Sequence, residues 1–290
     1  MASGPQKYPG ASLAHWYQDD FGGDLMEVNV TVLHTTEGRT LPDYDGGAVA
    51  PNLTAVPDFA NKRLNWFQHF DIDRSSRALR NLAGGVETNT LNVVQVELVG
   101  TCDPATHKKW GSSDHIYWPE APDWALKGVA DFLAWAHANH GIPLVGPALW
   151  LPYPQSGNAG SPARMSFAQW TAFKGVCGHQ HVPENDHGDP GNIDFPRLIA
   201  LAKGDTPDPQ EPEMALSDAD VERIANAVWQ KMAKADGVYL APTDAADYNP
   251  SETHPGHYWS GRTVFADLVR RVRDTQKTVT AIAAAQKKES

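Results

Sequence analysis

Val93-Val94-Gln95-Val96-Glu97-Leu98-Val99-Gly100 is the strongest strand in the chain, β-branched and apolar over most of its length and ended by a glycine. One residue breaks the pattern. Glu97 interrupts the apolar run, and two readings of it stay open. A carboxylate buried among apolar side chains has its pKa pushed toward the range of a general base. Alternatively, Glu97 lies with Gln95, its neighbour at period two, on the solvated face of an alternating strand.

Working outward, Val28-Asn29-Val30-Thr31-Val32-Leu33-His34 alternates in the same way and predicts a strand with His34 at its C-terminal end, ahead of the polar Thr35-Thr36-Glu37-Gly38. Residues 39–65 are rich in Pro and Gly and read as a long surface loop. Residues 65–73 read as a further strand that turns through Arg74-Ser75-Ser76-Arg77 into Ala78-Leu79-Arg80-Asn81 as a hairpin, with His69 a satisfied core histidine. On the other side, Ala125, Val129, Phe132, Leu133 and Ala136 share one face at helical spacing between Pro122 and Gly141, with His137 and His140 as surface residues near the C-terminal end. Ile142–Val145 reads as a short strand, Ser166 with Gln169 as a capped helix start, Gly175–His179 as a strand end and Phe195–Ala202 as a closing helix. Strands alternating with helices make residues 1–203 an α/β domain, a mixed central β-sheet flanked by helices, with residues 1–25 an irregular arm packed on it.

Between the last strand and the closing helix, the fourteen residues Gly178–Gly191 hold three histidines (His179, His181, His187) and three carboxylates (Glu184, Asp186, Asp189). Two readings stay open: half of a metal site, because imidazole and carboxylate are suitable zinc ligands and the Pro and Gly residues make the loop stiff, or a polar surface loop whose histidines bind nothing. On a strand, His179 and His181 would point the same way and could share one ion.

At 290 residues and 41% hydrophobic content, the chain can bury one substantial core and a small second module. A formal charge of −11 argues against nonspecific binding to nucleic acid or an anionic membrane. Cys102 and Cys177 are too few for a disulfide framework and leave room for one bridge at most. The N-terminus lacks the apolar stretch of a signal peptide, and no run reaches the ~18 apolar residues of a membrane span, so a cytosolic product without a membrane anchor is expected. Residues 204–213 are a Pro- and acid-rich linker, and residues 214–290 are expected to form a small all-α module. In it, Val221, Ile224, Ala225, Val228, Trp229 and Met232 form one apolar stripe, a loop covers 241–256, and Phe265, Leu268, Val272, Thr275, Val279 and Ile282 form a short heptad-like seam. Oligomerisation, docking and cell-wall binding all stay open for this module.

Three motifs taken in order, His34-Thr35-Thr36-Glu37-Gly38, Val96-Glu97-Leu98-Val99-Gly100 and Gly178-His179 followed by His187-Gly188-Asp189-Pro190-Gly191, resemble the type-2 N-acetylmuramoyl-L-alanine amidases, a family that includes the peptidoglycan recognition proteins. Within it the chain is similar to endolysins of phages infecting actinobacteria, over about residues 25–203. The resemblance implies that His34, His179 and Asp189 hold Zn2+ with a fourth position left for water, that Glu97 takes a proton from that water, and that His187 stands where relatives carry an oxyanion-stabilising Lys. It implies peptidoglycan as the partner, cut between N-acetylmuramic acid and L-alanine, by a protein held in the host cytoplasm until a holin releases it to the wall. The chain departs from the family in two places: Asn81-Leu82-Ala83-Gly84-Gly85 replaces a Trp-His-Ala-Gly stretch, and His181 stands where many relatives have a carboxylate. A recognition module that binds wall fragments without cutting them, and a zinc peptidase acting within the stem peptide, are the alternative functions.

Overall fold

The computed structural model describes residues 4–89, 92–205, 239–240, 258–259, 268–275 and 277. The chain divides into two compact units, Met1–Pro207 and Asp208–Ser290.

The first unit is mixed α/β. After a short helix α1 (Gln18–Phe21), strands β1 (Val30–Thr35), β2 (Leu53–Asp58), β3 (Arg63–Gln68), β4 (Val93–Leu98) and β5 (Gly175–Gly178) form one sheet in the order β3-β2-β4-β1-β5. β1 lies in parallel between β4 and β5, β2 is parallel to β4, and β3 is antiparallel to β2. Helices α2 (Pro104–Trp110), α3 (Asp123–His140), α4 (Phe167–Ala172) and α5 (Phe195–Lys203) complete it.

Period-two alternation divides β1, β4 and β5 between two covered faces. On one face Leu33, Val94, Val96, Leu98 and Val176 meet the apolar stripes of α3 (Ala125, Val129, Phe132, Leu133) and α5 (Leu198, Ile199, Ala202). On the other, Val30, Val32, Val93 and Cys177 pack with Leu79, Trp170 of α4 and Val182. His34 and Glu97 have the parity of this second face. Ser166 and Gln169 form the capping box that starts α4, and Pro122 and a left-handed Gly141 bound α3, as their sequence signals predict.

The sheet departs from the sequence reading in four places. Residues 39–65 are not all loop, because β2 runs through Pro57. That proline costs no ladder bond: the odd residues of β2 face β4, whose pairing with β2 ends at Ala55. The hairpin is therefore β2–β3, closed at Lys62 (φ 48°), and not a pairing of 65–73 with 78–81. Ile142–Val145 is no strand, and Val145 meets β5 through one backbone bond, Val176 N–H to Val145 O (2.8 Å). His179–His181 form a 3-10 turn, so the two side chains do not share one side of a strand.

The N-terminal arm covers the β3 edge of the sheet. Ser12 exchanges backbone bonds with Trp66 and Gln68 of β3, and Tyr8 sits edge-on between Trp66, Phe132 and Trp135. His69 is a satisfied core histidine, between Thr54 Oγ1 (2.9 Å) and the His15 carbonyl (2.6 Å). Cys102 and Cys177 are buried free thiols.

In the second unit Tyr239–Leu240 (β6) pairs in antiparallel with Tyr258–Trp259 (β7), so the module expected to be all-α carries a strand pair as well. Residues 268–275 of the expected seam are helical. The 221–232 stripe and the 241–256 loop lie outside the described residues. Among those residues no helix is long and apolar enough to cross a membrane.

Candidate metal centre

Parallel pairing fixes the site. β1 and β4 run in register with His34 opposite Glu97, and Leu33 of β1 stands opposite Gly178 of β5, so His34, Glu97 and His179 emerge together at the C-terminal ends of three adjacent strands. Ligands of open parallel sheets gather at these strand ends. Asp189 arrives from the loop after β5 and is anchored twice: Thr35 N–H donates to its Oδ2 (2.9 Å), and Gln180 N–H donates to its backbone carbonyl (3.1 Å).

Donor atoms of His34, His179 and Asp189 all lie within 4.8 Å of one another, and all three residues are buried. The Nδ1 atoms of the two histidines are 3.0 Å apart, Asp189 Oδ1 is 3.3 Å from His179 Nδ1, and Asp189 Oδ2 is 3.7 Å from His34 Nδ1. Glu97 Oε1 stands 4.0 Å from His34 Nδ1.

The far side of the His179 ring meets an acceptor. Asn185 donates through Nδ2 to the Pro183 carbonyl (2.9 Å), which turns its Oδ1 toward His179 Nε2 (3.1 Å). An acceptor there suits the tautomer with the ring proton on Nε2, the form whose Nδ1 lone pair would be free to take an ion. Two imidazole nitrogens and a carboxylate are a donor set that fits a borderline cation such as zinc. His34 Nε2 and Glu97 Oε2 are buried polar atoms with no hydrogen-bond partner among the described residues, a cost the polypeptide alone leaves unbalanced.

Electrostatics separates the two carboxylates. Burial, with the negative Asp189 and Glu37 nearby, pushes Glu97 well above the usual carboxylate range. Burial also acts to raise Asp189, but the adjacent His179, then His34 and the Thr35 N–H, outweigh it and hold this group below that range. Burial and the neighbouring His179 ring keep His34 well below the ordinary imidazole value. Glu37 buttresses the site: its carboxylate accepts from Thr35 Oγ1 (2.6 Å), Cys102 N–H (2.9 Å) and the Thr101 hydroxyl.

His187 is placed differently from the buried cluster. Its side chain is 67% exposed, against 5% for His179, on whose ring it stacks at 4.7 Å, and its Nδ1 is 3.8 Å from Asp189 Oδ1. It lines a cleft of about 390 Å³ with Glu37, Cys102, Tyr153, Asp186 and Asp189. A larger cavity of about 670 Å³, between the N-terminal arm, β3 and α3, contains none of these groups.

His181 is not in the cluster. Its Nδ1 accepts from Gly178 N–H (3.0 Å), its Nε2 donates to the Leu149 carbonyl (2.8 Å), and its ring packs edge-on against Trp150. It ties the 149–150 stretch to the end of β5. Asn185 went unnoticed in the sequence although it lies inside the ligand-rich loop, because a side-chain amide shows its role only through distances. Arg164, whose guanidinium contacts the same loop, left no signal at all.

No protein-family model matches the chain, and no curated protein matches it. Among solved structures it is similar to a crystal structure of a selenomethionine derivative of AmpD, with a TM-score of 0.38 and 14% identity, covering 69% of this chain and 99% of that one.

Proposed function

We propose that this chain is a zinc-dependent N-acetylmuramoyl-L-alanine amidase, an endolysin that cuts peptidoglycan at the amide between the lactyl group of N-acetylmuramic acid and the L-alanine of the stem peptide. The observation that carries it is the convergence of His34 Nδ1, His179 Nδ1 and the Asp189 carboxylate, with Glu97 beside them, at the C-terminal ends of the parallel strands β4, β1 and β5. The order of the three sequence motifs supports the same reading.

His34, His179 and Asp189 hold the ion. Bound zinc supplies Lewis-acid polarisation of a carbonyl and brings the pKa of water down to about 7. Glu97 takes a proton from the attacking water and returns it to the departing amine, so that the C–N bond breaks to a lactyl carboxylate and a free peptide N-terminus. His187, at the cleft rim, donates a hydrogen bond to the oxyanion that develops on the scissile carbonyl. Asn185 and Thr35 keep the ligands oriented. The protein acts on the host wall after holin-dependent release, and residues 214–290 serve oligomerisation, docking or wall binding.

Purified cell walls incubated with the protein test this. Free stem peptide is released by the wild type, and release is abolished by a chelator and by Glu97→Ala. Binding to walls without release marks a recognition module, cuts elsewhere in the stem peptide mark a peptidase, and release indifferent to the chelator removes the metal from the reaction.

A further inference from the structure

We infer that Arg164 is a positioning residue for the metal centre, acting through the backbone of the loop that carries two of its three donors; this rests on the reading of His34, His179 and Asp189 as a metal site. Nη1 of Arg164 donates to the carbonyls of Val182 (2.6 Å) and His179 (3.4 Å), Nη2 to those of His187 (3.1 Å) and Asn158 (3.3 Å), and Nε again to Asn158 (3.4 Å). All five bonds end on backbone oxygen. One half-buried, planar group thereby joins the ligand His179, the residue that closes its turn, the residue two before the ligand Asp189, and a facing loop.

The contacts lie where they control geometry. His179 enters the cluster from a single 3-10 turn, and Asp189 lies ten residues further along a Pro- and Gly-rich loop, so neither ligand of this pair is held by a long regular element. Gln180 N–H to Asp189 O (3.1 Å) closes the base of that loop, Met165 N–H to His181 O (2.9 Å) docks it on the segment carrying Arg164, and the guanidinium bridges its two limbs at His179 and His187. The backbone at His187 also sets where that exposed ring stands over the cleft. A planar fork of five N–H donors can serve four carbonyls at once, whereas a lysine ammonium offers three donors on a flexible stem and a glutamine two.

Zinc affinity of the full chain, measured by competition with a chromogenic chelator, tests the assignment for wild type, Arg164→Lys and Arg164→Gln. Loss of an outer partner of metal ligands weakens binding about 10–100-fold. That loss is expected for Arg164→Gln, with partial recovery in Arg164→Lys, and kcat for stem-peptide release should fall while KM stays, since Arg164 reaches backbone and not substrate. Wild-type zinc affinity in folded variants that melt at a lower temperature overturns the inference, because a merely structural tie would give that result. A wild-type chain that takes up no zinc overturns the metal reading, and the inference with it. Hydrogen exchange on the wild type needs no variant: zinc should slow amides in 158–165 as well as in 179–189, and protection confined to 179–189 counts against Arg164 as the link.

Discussion

Zinc should stabilise this protein, and the loss of any one of its three donors should remove the effect. Three buried donors already lie within 4.8 Å of one another, and Asp189 is fixed by Thr35 N–H, so an ion meets a formed site and little ordering opposes its binding. At free zinc 100-fold above Kd, preferential binding to the folded state contributes about 2.7 kcal/mol. For a unit of about 200 residues each kcal/mol moves Tm by about 2–4 °C, which gives an upward shift of roughly 5–11 °C. Differential scanning calorimetry of chelator-treated protein, repeated with increasing zinc, measures it directly. His34→Ala and Asp189→Ala remove one donor each and should lose the zinc-dependent shift. Asp189→Ala should also melt lower without zinc, because Thr35 N–H is left unpaired at a cost of about 1–3 kcal/mol. A wild-type Tm that ignores zinc, or a shift of equal size in His34→Ala, would refute the site.

Glu97→Gln keeps the shape of the carboxylate and should leave zinc content unchanged while stem-peptide release slows by about 10²–10⁴-fold; undiminished release excludes Glu97 as the base. His181→Ala should still bind one zinc per chain in elemental analysis, yet lose about 1–3 kcal/mol in urea unfolding because Gly178 N–H and Leu149 O lose their partner; a folded variant without zinc would make His181 a ligand. Burial holds His69 down to about 4 from an ordinary 6.5, so between those pH values the unfolded chain binds a proton that the folded chain refuses. Stability therefore falls as pH drops through that window, by up to about 3 kcal/mol from this residue, and His69→Gln should flatten the fall; parallel pH profiles of unfolding for the two proteins would disprove it.

The parts of this fold that are legible in the sequence are those governed by local periodicity. β1 and β4 show as alternating β-branched runs, α3 as an apolar stripe between Pro122 and Gly141, and α4 by its Ser166–Gln169 box, because each of these signals lies within one element. β2 is hidden because Pro57 looks like a strand breaker unless one knows that its missing N–H would point past the end of β4. The turn at His179–His181 is hidden for a related reason: two histidines at spacing two look like a strand pair until the Gly178 N–H captures the second of them.

The candidate site follows the same division, and the reason lies in the sheet order. Period two alone gives His34 and Glu97 the parity of the face opposite α3, but which strands are neighbours is a long-range matter that no single stretch carries. Placing β1 between β4 and β5 sets His34 opposite Glu97 and one residue beyond the Leu33–Gly178 pair, which is the level at which His179 leaves the sheet. Glu97 is then neither a solvated alternating residue nor an isolated buried group, because the strand that isolates it from water also delivers it to the His34 imidazole and to the neighbourhood of Asp189. A slip of one residue between β1 and β4 would turn one of the two side chains to the α3 face, so the apolar packing that fixes register on that face also fixes which polar side chains meet on this one.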